Sequence, residues 1–232
     1  MPTYVVQFKR RLLAFVVFLV SATASIALSE AAKQAPKAGT RFVLPAPARA
    51  GGMPLQEALA RRASVRDFGP QPLTDRELSQ LVWAAQGITH GDGRRTAPSA
   101  GARYPLELYV ATSTGFFHYD TRGHQLERIL DTDLRPAISK AALGQGSVAE
   151  APAVFVFTAV ISRTAQRYGE ARSPRYVHLE IGHAAQNLLL QAVALNLGGV
   201  PVGAFDDSQL QRAMPVPADH TALYLVCVGH PR

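Results

Sequence analysis

Between Leu55 and Gln86 apolar residues recur at helical spacing, and after Leu106 they recur at strand spacing or in unbroken runs. Leu55 to Arg62 reads as a short helix with Pro54 at its first position. Thr74-Asp75-Arg76-Glu77 has the form of a capping box and opens a helix through Gln86. Leu78, Leu81, Val82 and Ala85 supply its apolar face, and Gly87 with Gly91-Asp92-Gly93 ends it. Leu106–Thr112 and Phe116–Asp120 read as strands of a hairpin joined through Thr114-Gly115. Asp131 to Leu143 is expected to be helical. Ala153 to Ile161 is a nearly continuous apolar run and predicts a strand buried on both faces. Tyr176 to Leu197 predicts the longest helix, stopped by Gly198-Gly199. A short helix over Ser208–Met214 and a last strand over Ala222–Val228 follow. Helices and strands interleave without regular βα repeats, and no G-x-G-x-x-G follows a strand, so the pattern favours an α+β sheet with helices on both faces over a Rossmann fold.

The N-terminus has a different character. Lys9-Arg10-Arg11 precedes an apolar run from Leu12 to Val20, and small residues follow to Leu28. This is the n-region, h-region and cleavage-site order of a secretory signal, assigned to residues 1–29. It predicts export to a periplasmic or extracellular site. The alternative is a retained membrane anchor, for which the run is near the minimum spanning length. Arg10-Arg11 followed by Leu12-Leu13 also resembles a twin-arginine signal. Residues 30–52 are rich in Ala, Pro, Lys and Gly and read as a linker, which leaves 53–232 as one folded domain.

At 232 residues, 47% of them hydrophobic, the chain can bury one sizeable core. The net charge of +7 falls to +4 without Lys9, Arg10 and Arg11. That remainder is scattered, with no basic stripe interleaved with aromatics, so nucleic acid is not an expected partner. One cysteine, Cys227, allows neither an intramolecular disulfide nor a cysteine zinc site, and its apolar neighbours make it a buried strand residue.

Three segments could carry chemistry. In Arg61–Phe68, strand alternation places Arg62, Ser64 and Arg66 on one side, where they could grip a phosphate or simply form a solvated basic end. In Arg94–Pro105, the small residues Pro98-Ser99-Ala100-Gly101 let the backbone approach a flat ligand, or form an ordinary loop into the strand. In Val200–Asp206, Gly203 and Ala204 could turn backbone N–H groups to a ligand, or merely connect two helices. Rival chemistries fail on spacing. His178 and His183 are five apart without a glutamate after the first, which is not a zincin motif, and no metal site is expected. A zinc deaminase needs more cysteines, and Ser99 lacks a nucleophile elbow. His183, Gln186 and Asn187 on the long helix read as a buried hydrogen-bonded cluster or a dimer contact.

In order along the chain stand R-x-S-x-R-x-F from Arg62, P-S-A-G-x-x-Y-P-L-E-x-Y from Pro98, R-Y-x-x-L-E-x-G-H-x-x-Q-N-L from Arg175, G-A-F-D from Gly203 and a closing V-G-H-P-R. Together they resemble the SagB-type (thiazole/oxazole) dehydrogenase branch of the nitroreductase superfamily. The resemblance implies a three-layer α/β/α sandwich with a mixed, mainly antiparallel sheet, FMN as cofactor and a homodimer with the flavin at its interface. It implies an oxidoreductase passing hydride or electron pairs to or from a small or peptidic substrate, or a non-catalytic flavin- or ligand-binding module of the same fold. By the same resemblance Arg62, Ser64 and Arg66 would hold the phosphate, ribityl chain and pyrimidine edge, and Arg232 would reach the phosphate. Pro98, Ser99, Ala100 and Gly101 would pack along the ring from the partner subunit, and Gly203 and Ala204 would face N5 and O4. The azoline oxidases of this branch carry a Lys-Tyr pair where this chain has Arg167-Tyr168. Arginine stays protonated and is a poor base, so Tyr168 is left as the catalytic candidate.

Overall fold

A computed structural model describes residues 39–232. The expected signal and the first part of the expected linker lie outside the described residues.

The sheet runs β1(Arg41–Val43), β4(Gln125–Leu130), β3(Gly115–Asp120), β2(Leu106–Thr112), β5(Ala153–Ala159), β7(Thr221–Gly229) and β6(Gly198–Val202), in that spatial order. Every ladder between these strands is antiparallel. A single parallel bridge, Ser64 to Gly199, makes the arrangement mixed. β5 shows why the layers form. Phe155 and Phe157 point into a core shared with Leu81, Val82, Leu188 and Ile181, while Val154 and Val156 point into a second core with Ile138, Val148 and Leu210. The first core is closed by α2(Asp75–Gln86) and the long α6(Ser173–Ala194), with α1(Leu55–Arg61) beside them. The second is closed by α3(Arg135–Ala141), α4(Gly146–Glu150) and α7(Asp207–Ala213). The continuous apolar run is therefore a strand covered by helices on both faces, and the expected three-layer sandwich is the observed fold.

The capping box forms as its residues predict: Thr74 Oγ1 accepts from the Glu77 N–H, and Glu77 Oε2 accepts from the Thr74 N–H at 2.7 Å. Other expectations need correction. Residues 39–52 are not simply a linker, because Arg41–Val43 pairs with β4 and the Ala48 N–H donates to Gln80 Oε1 at 2.9 Å. Ile161 starts a further helix, α5(Ile161–Tyr168), instead of ending β5. Gly198-Gly199 does more than stop the long helix, since it begins β6. Asp131–Leu143 is helical only over Arg135–Ala141.

Candidate functional site

The segment after α1 is locked between two strand ends. The Val65 N–H donates to Gly199 O at 3.0 Å, the Gly69 N–H to His230 O at 2.8 Å, and the Arg232 N–H to Asp67 O at 3.2 Å. A Cβ at Gly198 would lie 2.7 Å from Val65, so glycine is what lets the segment dock there. Val65 turns toward the core, and its neighbours Ser64 and Arg66 are exposed. Among the described residues the guanidinium groups of Arg62 and Arg66 have no ion-pair or hydrogen-bond partner. Arg232 meets Asp67 at 3.3 Å in an exposed pair. Arg62, Ser64, Arg66 and Arg232 are thus gathered at the Gly198 end of β6, with an excess of positive charge.

Gly203 and Ala204 stand exposed just beyond the opposite end of β6. Gly203 sits over the Tyr224 ring, and the Ala204 carbonyl accepts from Gln145 Nε2 at 3.0 Å. Neither N–H has a partner within the described residues. From Gly199 to Gly203 is about 13 Å of extended chain, so cations and free N–H groups stand at the two ends of one edge strand.

Pro98, Ser99, Ala100 and Gly101 lie apart from that strip, against the N-terminal half of α6. Asn187 Nδ2 donates to Thr96 O at 3.2 Å, and the Ser99 side chain bonds to Glu180. Gly101 holds φ 57°, and a Cβ there would come within 2.8 Å of the Tyr168 hydroxyl. The Tyr168 and Tyr176 rings meet at a 53° tilt with centroids 4.7 Å apart, and the Arg167 guanidinium lies 5.7 Å from the Tyr168 ring. Ser99 meets α6 at Glu180 and Gly199 meets it at Leu189, nine residues or about 14 Å along the axis. The Pro98–Gly101 loop and the β6 edge are therefore two separate groups of residues in one chain. His183 and Gln186 are exposed, which corrects the expectation of a buried cluster, and only Asn187 is half-buried.

Sequence reasoning assigned no role to Glu180 or Glu107. Glu180 is buried, and burial pushes its carboxyl up to about 7 against the opposing pull of Ser99 and Arg95, with Oε1 unpartnered. Glu107 is also desolvated, but hydrogen bonds from His118 Nε2 at 2.7 Å and Arg163 Nη2 at 2.6 Å outweigh that and hold it near 2. Beside it the Tyr109 hydroxyl meets His220 Nδ1 at 2.7 Å. The signal for the first pair was present in the hairpin register, because Tyr109 faces His118 and places Glu107 nearby on the same sheet face. Cys227 is fully buried, and burial raises its thiol to about 12. No group of three or more His, Cys, Asp or Glu side chains among the described residues could hold a metal.

The chain is a three-layer α+β sandwich with arginines at one end of an edge strand and a glycine-bearing turn at the other. The nitroreductase family pattern matches residues 59–230, and the chain belongs to that family. It is 43% identical over 168 residues to a Methanocaldococcus jannaschii protein provisionally named a nitroreductase, covering 70% of this chain and 84% of that one. It is 34% identical over 115 residues to the trifolitoxin-processing protein TfxB of Rhizobium leguminosarum bv. trifolii, covering 45% of this chain and 31% of TfxB. Among solved structures, a provisionally named nitroreductase of Ralstonia eutropha superposes with a TM-score of 0.75 at 34% identity, covering 83% of this chain and 90% of that one. The chain is a nitroreductase-family oxidoreductase.

Proposed function

We propose that the chain is an FMN-dependent oxidoreductase of the SagB-type branch, working as a homodimer on a small or peptidic substrate. The observation that carries this reading is the edge of β6, where unpaired Arg62 and Arg66 with Arg232 stand at one end and free N–H groups of Gly203 and Ala204 at the other. The arginines and the Ser64 hydroxyl suit a phosphate and the polar edge of a flavin. The two N–H groups suit the acceptors of its ring, and Gly203 brings no side chain of its own to that approach. Bound FMN would supply two-electron transfer. The protein's part is to hold the ring, favour negative charge on it through the nearby cations, and exclude water.

The second half-site, Pro98–Gly101 with Tyr168, serves the flavin bound to the partner subunit in this reading. Leu55, Leu59 and Leu179 support a dimer, since all three are large, apolar and more than half exposed on α1 and α6. Tyr168 stands against Gly101 and serves as the proton donor or acceptor in this reading, and the permanently charged Arg167 assists by charge alone. A peptide substrate is favoured by the likeness to TfxB and to a second trifolitoxin-processing protein, TfxF, 29% identical over 122 residues. Export through the residues 1–29 signal would require an electron partner available outside the cytoplasm. A non-catalytic flavin-binding module is the second reading, favoured by Arg167 at the place of the expected lysine. Steady-state reduction of menadione by the FMN-loaded chain with NADH or NADPH tests the first reading. Turnover that falls in Tyr168→Phe supports it, and FMN-loaded protein inert toward quinones and nitroaromatics supports the second.

A further inference from the structure

The sheet edge opposite β6 holds a cavity of about 450 Å³ between β1, β3, β4 and the start of α2. Phe42, Leu44, Leu73, Leu78 and Leu126 supply much of its apolar wall. Into this wall is set one cation. Arg128 is 8% exposed, and its guanidinium lies 5.1 Å from the centre of the Phe42 ring and 5.1 Å from that of Phe117. Nη1 donates to the Thr114 carbonyl at 3.1 Å. Among the described residues Nε is buried without a hydrogen-bond partner and sealed from the cavity, whereas Nη2 also lacks a partner but is not sealed, so the N–H groups of Nη2 are free to donate. No carboxylate lies within 4 Å of it among the described residues; Asp75, the one acid of the cavity lining, is exposed on the far side of that limit.

A buried guanidinium without a counter-charge is costly, and stacking between two phenyl rings offsets only part of that cost. The free Nη2 offers a charge-assisted hydrogen bond to a carboxylate. One positive charge calls for a monoanion, and the apolar wall calls for an apolar body of modest size. The geometry points to a second small-molecule site, separate from the β6 edge, that takes a monocarboxylate with an apolar tail. The carboxylate accepts from Nη2 of Arg128, and the tail lies against Phe42, Leu73 and Leu126.

The test is calorimetric titration of the whole chain with decanoate, with 3-phenylpropionate and with decanol, which has the alkyl tail without the charge. Decanoate or 3-phenylpropionate should bind once per chain, and the tighter of the two tells an alkyl from an aryl tail. Arg128→Met keeps the apolar stem and should weaken carboxylate binding at least about tenfold while leaving decanol unchanged. Leu126→Trp fills the cavity and keeps the guanidinium, so it should abolish binding. Both variants are checked by thermal unfolding, and Leu126→Trp alone decides the matter if Arg128→Met does not fold. The proposal is overturned if neither carboxylate binds the wild type, if Arg128→Met binds them equally well, or if folded Leu126→Trp still binds. Arg128 would then be a stacked structural plug between two rings.

Discussion

Replacing Glu180 by glutamine should change how stability depends on pH, in a direction fixed by the site. The side chain is 3% exposed, and burial raises its carboxyl from an ordinary 4.5 to about 7, despite the Ser99 hydrogen bond and the charge of Arg95. A folded state that prefers the protonated acid is fully favoured below the unfolded value near 4.5. It loses that advantage as pH rises through 7. The loss amounts to about 3 kcal/mol between pH 5 and pH 8. Glutamine does not titrate, so the variant escapes this loss. Its amide still accepts from Ser99, and its NH2 replaces an oxygen that already lacks a partner, so any other cost is nearly the same at both pH values. Burial lowers the values of His124 and His220, but their contribution is common to both proteins and cancels in the difference. Urea unfolding at pH 5 and pH 8 measures the effect. Glu180→Gln should gain about 3 kcal/mol on the wild type between those two points. Parallel wild-type and variant profiles would refute the claim that a buried, protonated Glu180 underlies the loop at Ser99.

Other sites give sharper local outcomes. Glu107→Gln weakens the half-buried bonds to His118 and Arg163 and should cost about 1 to 2 kcal/mol at pH 7 in urea unfolding, and an unchanged midpoint would contradict the pairing. Thr74→Ala removes one half of the capping box and should cost about 1 kcal/mol by the same measurement, with Thr74→Ser recovering most of it. Gly198→Ala pushes on Val65 and should loosen the Arg62–Arg66 segment, seen as a larger fraction of FMN lost on desalting than in wild type. Equal retention would separate that segment from flavin binding.

The parts of the fold legible in sequence were those with strong local signals. The capping box placed α2 because Thr74 and Glu77 satisfy each other's backbone whatever lies around them. The run from Ala153 placed β5 because a strand buried on both faces cannot carry a polar side. The missed strands obey tertiary context instead. β6 reads Gly-Gly-Val-Pro-Val, a poor strand sequence by propensity, and it forms because β7 pairs along its whole length. β4 carries Glu127 and Arg128, whose charges hid its alternation, and β1 is three residues long. The site shows the same division. Ser64 and Arg66 are exposed on either side of the inward Val65, yet nothing local indicated that Arg232 would close beside Asp67. Glu180 and Arg95 come together only through the packing of the Pro98 loop on α6, and no spacing in the sequence brings them near each other.

The central claim concerns the cofactor, and the most direct measurement is the visible spectrum of the purified protein, with the released flavin identified after denaturation. The account predicts an oxidised-flavin spectrum with FMN near one per chain, and an Arg66→Ala variant that stays folded but loses most of it. A colourless protein that fails to take up added FMN, or an Arg66→Ala variant that retains FMN like the wild type, would contradict it.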